Sequence, residues 1–169
     1  MERVLDAGGG PRIVSWNVTA RCNLACAHCY IDADGEGSPG ELDTAEGMAL
    51  IDQIAAVGRP ILVLSGGEPL LRPDIFDLAR YAAGRGLRVA MGTNGILVTD
   101  AVAGRLSDTG IRKVAVSIDS TDPGVHDAFR GVSGAWEKAV NGIRALRRAG
   151  VTVQIHTTIG EPDIGEIDR

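Results

Sequence analysis

The chain has 169 residues, of which 44% are hydrophobic and 23% are charged, and its formal net charge at pH 7 is −5. These values are typical of one globular domain. The acidic balance argues against a nucleic-acid partner, which usually requires a basic patch. No apolar run approaches the roughly 20 residues that cross a bilayer, and the N-terminus lacks a signal-peptide core. We therefore expect a cytoplasmic protein with no membrane partner.

Strands and helices alternate along the sequence after a Gly-rich lead-in at residues 1–12. In chain order we predict a strand at 13–19, a helix from the Asp43/Glu46 capping pair to Gly58, a strand at 60–65, a helix at 74–85, a strand at 87–91, a helix capped by Thr99 and stopped at Gly110, a strand at 114–118, a short helical piece through Phe129, a helix from a Ser133 cap to Gly150, and a strand at 151–157. This alternation indicates parallel βαβ units.

Several predicted strands have one apolar face and one small or polar face. At residues 114–119 the second face holds Ala115, Ser117 and Asp119, and at 151–158 it includes His156. A parallel strand between two helix layers is apolar on both faces, so the polar face indicates a cavity. This favours a partial, TIM-like βα barrel of about five strands over a flat doubly wound sheet. We interpret His156 as a hydrogen-bonded histidine of the barrel interior.

All three cysteines of the chain lie within eight residues, at Cys22, Cys26 and Cys29. Three clustered thiolates select zinc, copper(I) or an iron–sulfur cluster. A structural zinc site needs a fourth ligand, for which His28, His126 and His156 are the candidates. A [4Fe–4S] cluster normally takes four cysteines, so three would leave one iron open.

The motifs share one position relative to the predicted strands. The cysteine loop, Gly66–Pro69, Thr93–Gly95 and Ser117–Asp119 follow or end the first four strands. The C-terminal ends of parallel strands form one rim, where ligand sites gather. We therefore expect these four segments to surround one site.

The spacing C-x-x-x-C-x-x-C after the first strand, S-G-G-E-P after the second and T-N-G after the third resembles the radical S-adenosylmethionine (SAM) enzymes. The resemblance implies a [4Fe–4S] cluster on Cys22, Cys26 and Cys29, with SAM on the open iron. It also implies reductive cleavage of SAM to a 5′-deoxyadenosyl radical that abstracts hydrogen from a substrate, with an electron donor such as ferredoxin or flavodoxin.

The same resemblance implies roles for further residues. Gly66 and Gly67 let the backbone approach the SAM amino group, and Glu68 helps to hold it. The polar positions that contact SAM are matched by Ser117 and Asp119, whose alternative is a helix cap. The complete set of cofactor-binding residues implied is Gly66, Gly67, Glu68, Pro69, Asn94, Ser117, Asp119 and Arg130.

Within the superfamily the sequence resembles two groups. One modifies tetrapyrroles derived from sirohaem on the way to haem or haem d1, and the other consists of SPASM-type maturases that modify peptides. Two alternatives from other classes are a zinc-binding module and a catalytically incomplete fragment. We expect residues 13–169 to form an incomplete core, truncated at the C-terminus, because 161–169 resembles the start of a helix.

Overall fold

Five parallel strands form a single sheet in the computed structural model, which describes residues 10–159. Strand order follows chain order, β1-β2-β3-β4-β5, and every neighbouring pair is parallel. The strands are β1 Ile13–Asn17, β2 Ile61–Ser65, β3 Arg88–Thr93, β4 Lys113–Ser117 and β5 Thr152–His156. Because all five run the same way, their C-terminal ends lie along one edge of the sheet.

Helices connect the successive strands. They are α1 Thr44–Ala56, α2 Ile75–Gly84, α3 Asp100–Asp108, α4 Pro123–Arg130 and α5 Ala135–Arg148, with a short 3-10 helix at Pro69–Leu71 after β2. The predicted caps form at α1, where Asp43 and Glu46 make a reciprocal capping box, and at α3, where the Thr99 side chain accepts from Val102 N. These caps satisfy backbone N–H groups that the first turn leaves without partners.

The hydrophobic core lies between one face of the sheet and the helices. Leu62 and Leu64 of β2 and Val114 and Val116 of β4 are fully buried. Their helical partners, all buried in the same cluster, include Ile51, Ile54, Leu78, Ala82, Leu106, Ala139 and Leu146. Alternation along each strand therefore sends one set of side chains to this core and the other set to the opposite face.

The opposite face carries small and polar side chains at the C-terminal ends of the strands. Ser65, Gly92, Ala115 and Ser117 line an open cavity instead of a second helix layer. The predicted alternation and the partial-barrel fold are thus confirmed, and the five strands do not close into a barrel. β5 is an edge strand of the described sheet, and most of its residues are exposed.

The predicted Ser133 cap of α5 is wrong. The residue before the helix is Gly134, in a left-handed conformation with φ 77°, and it makes no side-chain cap. The carboxylate of Asp127, from α4, accepts from Gly134 N and Trp136 N instead. A tertiary contact therefore supplies the acceptor that a local hydroxyl was expected to provide.

Two expectations concern the chain termini. The lead-in at 1–12 and the helix start at 161–169 lie largely or wholly outside the described residues. Among residues 10–159, none of the helices is both long and apolar enough to cross a membrane.

Candidate functional site

An open cavity of about 620 Å³ lies at the C-terminal edge of the sheet. The cysteine loop forms one side, the ends of β2, β3 and β4 form the floor, and the end of β5 forms the far side. Its volume is within the range of small-molecule sites, which is about 300–1,000 Å³. All four predicted segments contribute residues to this cavity, as expected for motifs at one edge of the sheet.

The cysteine loop places all three thiols on this cavity. Each cysteine is partly buried, and no disulfide forms among them. The loop is closed at its base by Cys22 N, which donates to Asp34 O at 2.6 Å. Within the loop, Ala33 N donates to Cys29 Sγ at 3.3 Å. Burial raises the pKa of the Cys22 thiol.

The segment after β2 runs against the chain that enters the cysteine loop. Gly67 N donates to Thr19 O at 2.8 Å, and Glu68 N donates to Arg21 O at 2.7 Å. A Cβ atom on Gly66 would overlap the Thr19 carbonyl, and one on Gly67 would overlap the Arg21 carbonyl. Both positions therefore require glycine for this close approach, and both also line the cavity.

The Glu68 side chain points away from the cavity into the protein. It is 0% exposed and accepts from Leu70 N at 3.0 Å and Asn94 N at 2.9 Å. The Thr93 hydroxyl also lies 2.8 and 2.9 Å from its two oxygens. Burial raises the Glu68 pKa to about 7 against these hydrogen bonds. The carboxyl group therefore joins the ends of β2 and β3 beneath the cavity floor.

A buried ion pair lies behind the end of β4. Arg130 Nε and Nη2 donate to the two oxygens of Asp119 at 2.6 and 2.9 Å. His126 Nδ1 accepts from Asp119 N at 3.2 Å, which places its proton on Nε2. Burial lowers the His126 pKa. Arg130 is thus the cation of this group, and its guanidinium reaches the cavity wall.

The far side of the cavity is formed by Ile155, His156, Thr157 and Thr158. The His156 side chain is exposed, and its imidazole makes no hydrogen bond within residues 10–159. Our interpretation of His156 as a hydrogen-bonded interior histidine is therefore wrong. Because β5 is an edge strand of the described sheet, no further strand among residues 10–159 covers it on its outer side.

The structure separates the predicted site residues into two groups. Those on the cavity are Cys22, Cys26, Cys29, Gly66, Gly67, Asn94, Ser117 and Arg130. Glu68, Pro69 and Asp119 are buried and do not line it. For these three, direct contact with a ligand stays a prediction, whereas the observed contacts of Glu68 and Asp119 hold neighbouring elements in place. Asp119 is not a helix cap, since Asp122 caps α4.

Thr93 and His28 line the cavity, although neither is among the predicted cofactor-binding residues. Thr93 bonds Glu68 and lines the floor, and the T-N-G motif already contained this signal. His28 stacks on Phe129 with ring centroids 4.1 Å apart, and its Nδ1 is buried without a partner in the described part of the chain. The sequence suggested His28 only as a zinc ligand, and the stacked position could not be derived from it.

The residues present fit an iron–sulfur cluster with a bound small molecule. Three thiols supply soft ligands, and His28, whose Nδ1 is buried without a partner in the described part of the chain, lines the same cavity. Across residues 10–159, no group of three or more His, Cys, Asp and Glu side chains is already gathered around one metal position.

Comparison with known proteins agrees with this geometry. Residues 16–167 match the family described as the radical SAM superfamily. The chain is 45% identical over 159 residues to the AdoMet-dependent heme synthase of Methanosarcina barkeri strain Fusaro, covering 94% of this chain and 46% of the relative. It is 36% identical over 169 residues to mycofactocin maturase MftC of Mycobacterium tuberculosis strain CDC 1551, covering 99% and 42%.

A solved structure gives the same fold. Streptococcus suis SuiB bound to S-adenosylmethionine superposes with a TM-score of 0.81 at 16% identity, over 95% of this chain and 37% of that one. The chain spans about half the length, or less, of the curated relatives that it matches. The family match nevertheless covers most of the chain, and it includes all three cysteines. The chain belongs to the radical SAM superfamily, whose cofactors are a [4Fe–4S] cluster and SAM.

Proposed function

We propose that this chain is the core of a radical SAM enzyme in which Cys22, Cys26 and Cys29 hold a [4Fe–4S] cluster and SAM occupies the adjoining cavity. The observation that carries the proposal is the gathering of the three thiols, both glycines and the ends of β3 and β4 around one cavity. Residues 13–169 form the core in this proposal. Free thiols agree with a cytoplasmic location.

The chemistry supplied by the bound cofactors is one-electron cleavage of SAM to methionine and a 5′-deoxyadenosyl radical, which takes a hydrogen atom from the substrate. The residues of the chain itself bind the cofactors and orient them. The segment of Gly66 and Gly67 presents backbone groups at the cavity. Asn94 is held there by donating from Nδ2 to Asn23 Oδ1 at 2.8 Å, and Ser117 provides a hydroxyl at the end of β4.

The substrate we propose is a tetrapyrrole derived from sirohaem. The support is the higher identity to the heme synthase, 45% against 36% for the mycofactocin maturase. A peptide substrate is the second candidate, supported by the near-complete coverage of this chain by the maturase match. An acidic electron carrier, a ferredoxin or flavodoxin, supplies the electron in either case.

Anaerobic reconstitution with iron and sulfide tests the cofactor proposal. We expect a brown protein with about four irons per chain, and loss of the colour in Cys22→Ala, Cys26→Ala and Cys29→Ala. Stoichiometric zinc without colour would instead support a zinc-binding module.

Addition of SAM and dithionite tests whether the chain cleaves SAM. Formation of 5′-deoxyadenosine shows that it does, and the absence of 5′-deoxyadenosine despite an intact cluster identifies an incomplete catalytic unit.

The substrate proposal needs a separate measurement. We expect a sirohaem-derived tetrapyrrole to increase the rate of 5′-deoxyadenosine formation by the reconstituted protein and to change in mass itself. A matched peptide from a maturase substrate serves as the comparison. Stimulation by the peptide alone would reverse our order of the two candidates.

A further inference from the structure

The C-terminal end of α4 packs directly on the cysteine loop. Ala25 N donates to Arg130 O and Ala27 N donates to Phe129 O, both at 3.2 Å. The rings of His28 and Phe129 add a stacked contact. Two backbone bonds and one ring pair thus connect α4 to the residues on both sides of the second cysteine, Cys26.

The Arg130 side chain makes a further contact to the same loop. Its Nη1 donates toward Cys26 Sγ at 3.7 Å, while Nε and Nη2 bind Asp119. All three guanidinium nitrogens are therefore used, two for Asp119 and one for the sulfur. The planar fork of arginine permits this division, which a lysine ammonium cannot reproduce.

The pair is buried, so its charges act strongly on the sulfur. Arg130 and Asp119 are 8% and 6% exposed, and Thr158 N also donates to Asp119 Oδ1 at 3.1 Å. Asp119 binds the guanidinium through Nε and Nη2, and the remaining nitrogen, Nη1, is directed at Cys26 Sγ. Because the guanidinium itself is buried, little water screens its charge, and a positive charge beside a cluster ligand stabilises the added electron.

We propose that Arg130, held in place by Asp119, is a positioning residue that fixes Cys26 for cluster binding and raises the reduction potential of the cluster. This inference rests on the proposed cluster at Cys22, Cys26 and Cys29. It assigns to Arg130 and Asp119 a role that does not require contact with SAM. The role of Asp119 is to orient the guanidinium, in agreement with its position away from the cavity.

The test is an EPR-monitored redox titration of the reconstituted full chain without SAM. We expect Arg130→Gln to lower the equilibrium constant for one-electron reduction about tenfold, which corresponds to about 59 mV. Arg130→Lys keeps the charge and should shift the potential less, while losing part of the iron during gel filtration. Asp119→Asn should also weaken iron retention, since the guanidinium is then no longer held.

The control is Arg72, a second buried arginine in a forked pair. Its Nε and Nη2 bind Asp74 at 2.7 and 3.0 Å and its Nη1 donates to Val18 O, but it does not line the cavity. Arg72→Gln should lower the melting temperature without moving the potential. An equal shift in both variants would show a general effect of lost stability, which overturns the proposal.

The outcomes separate this inference from the proposed function. A wild-type chain that forms no cluster contradicts the proposed function itself. A wild-type cluster with an unchanged potential and unchanged iron retention in Arg130→Gln overturns only the inference. If Arg130→Gln cannot hold iron, the potential and retention of Arg130→Lys decide, and wild-type values for both overturn it. A variant that changes only the dissociation constant of SAM makes Arg130 a SAM contact instead.

Discussion

At the scale of single residues, Glu68 shows that a motif residue can support the site without lining the cavity. Its carboxyl group is fully buried and joins Leu70 N, Thr93 and Asn94. Burial raises its pKa from 4.5 to about 7. Asn94 in turn bonds Asn23 in the cysteine loop, so the Glu68 contacts extend from the end of β2 through β3 to the proposed ligand-binding loop.

The raised pKa has a consequence for stability. Between the unfolded value of 4.5 and the folded value of about 7, the folded chain binds more protons at Glu68 than the unfolded chain does. The Glu68 contribution to the free energy of unfolding is therefore full below the unfolded pKa and is lost as pH rises through the folded pKa. The shift corresponds to roughly 3 kcal/mol across this window.

Urea unfolding of metal-free protein between pH 4.5 and 8 measures this effect. We expect Glu68→Gln to remove the Glu68 contribution to the pH slope, because a glutamine amide does not titrate. Asp77→Asn provides a matched control, since Asp77 lies in an exposed surface ion pair and should leave the slope unchanged. Parallel slopes for wild type and Glu68→Gln would contradict the raised pKa.

The residues differ in how well the sequence predicted them. The three cysteines and the two glycines were identifiable because their spacing and type are set by ligation and by close backbone approach. The buried orientation of the Glu68 side chain was not identifiable, because it depends on donors at the end of β3 and just after it, 25 and 26 positions away. Long-range hydrogen bonds of this kind have no local sequence pattern.

At the scale of elements, α4 has two functions in the structure. It connects β4 to α5, and its C-terminal end forms a wall for the cysteine loop. The helix ends at Gly131, which has φ 72°. A Cβ atom there would lie 2.5 Å from Ala25 O, in the cysteine loop. Close packing at this point therefore depends on the absence of a side chain.

Gly131→Ala tests this packing, and Gly150→Ala is its matched control. Gly150 has nearly the same φ, 74°, but open space around its Cβ position. We expect Gly150→Ala to cost about 1 kcal/mol of stability from the left-handed conformation alone. Gly131→Ala should cost roughly 1–3 kcal/mol more, since the loop has to move, and it should also retain less iron.

Thermal melts and iron analysis of both variants decide the matter. Equal losses of stability, with equal iron content, would show that the helix end does not support the cysteine loop.

The helices and strands themselves were largely predictable, because caps and periodic apolar positions are local signals. The Ser133 cap failed because Asp127, from the preceding helix, supplies the acceptor for α5.

At the scale of the whole molecule, the sheet order follows from consecutive βαβ crossovers. Each strand pairs with the next in sequence, so the strand-end motifs become neighbours in the order in which they occur. For this reason the sequence alone predicts that these motifs lie together at the C-terminal edge of the sheet. The exposure of His156 could not be predicted, since it depends on β5 being an edge strand of the described sheet.

The cavity links the binding of SAM to the stability of the whole chain. A ligand that binds only the folded state raises the free energy of unfolding, by about 2.7 kcal/mol at one hundred times its dissociation constant. For a chain of this size, that rise should increase the melting temperature by roughly 5 to 10 °C. Because the proposed site includes the cluster, the increase should require iron and sulfide.

Anaerobic thermal melts with and without SAM check this prediction in three proteins. The reconstituted wild type should gain stability with SAM, whereas metal-free wild type and Cys26→Ala should gain little, because they lack the iron to which the SAM methionine group would bind. Methionine alone, at the same concentration, controls for weak binding to that iron. An equal gain in Cys26→Ala would mean that the cavity formed by β2, β3 and β4 binds SAM without the cluster, and the proposed dependence on the cysteine loop would then be wrong.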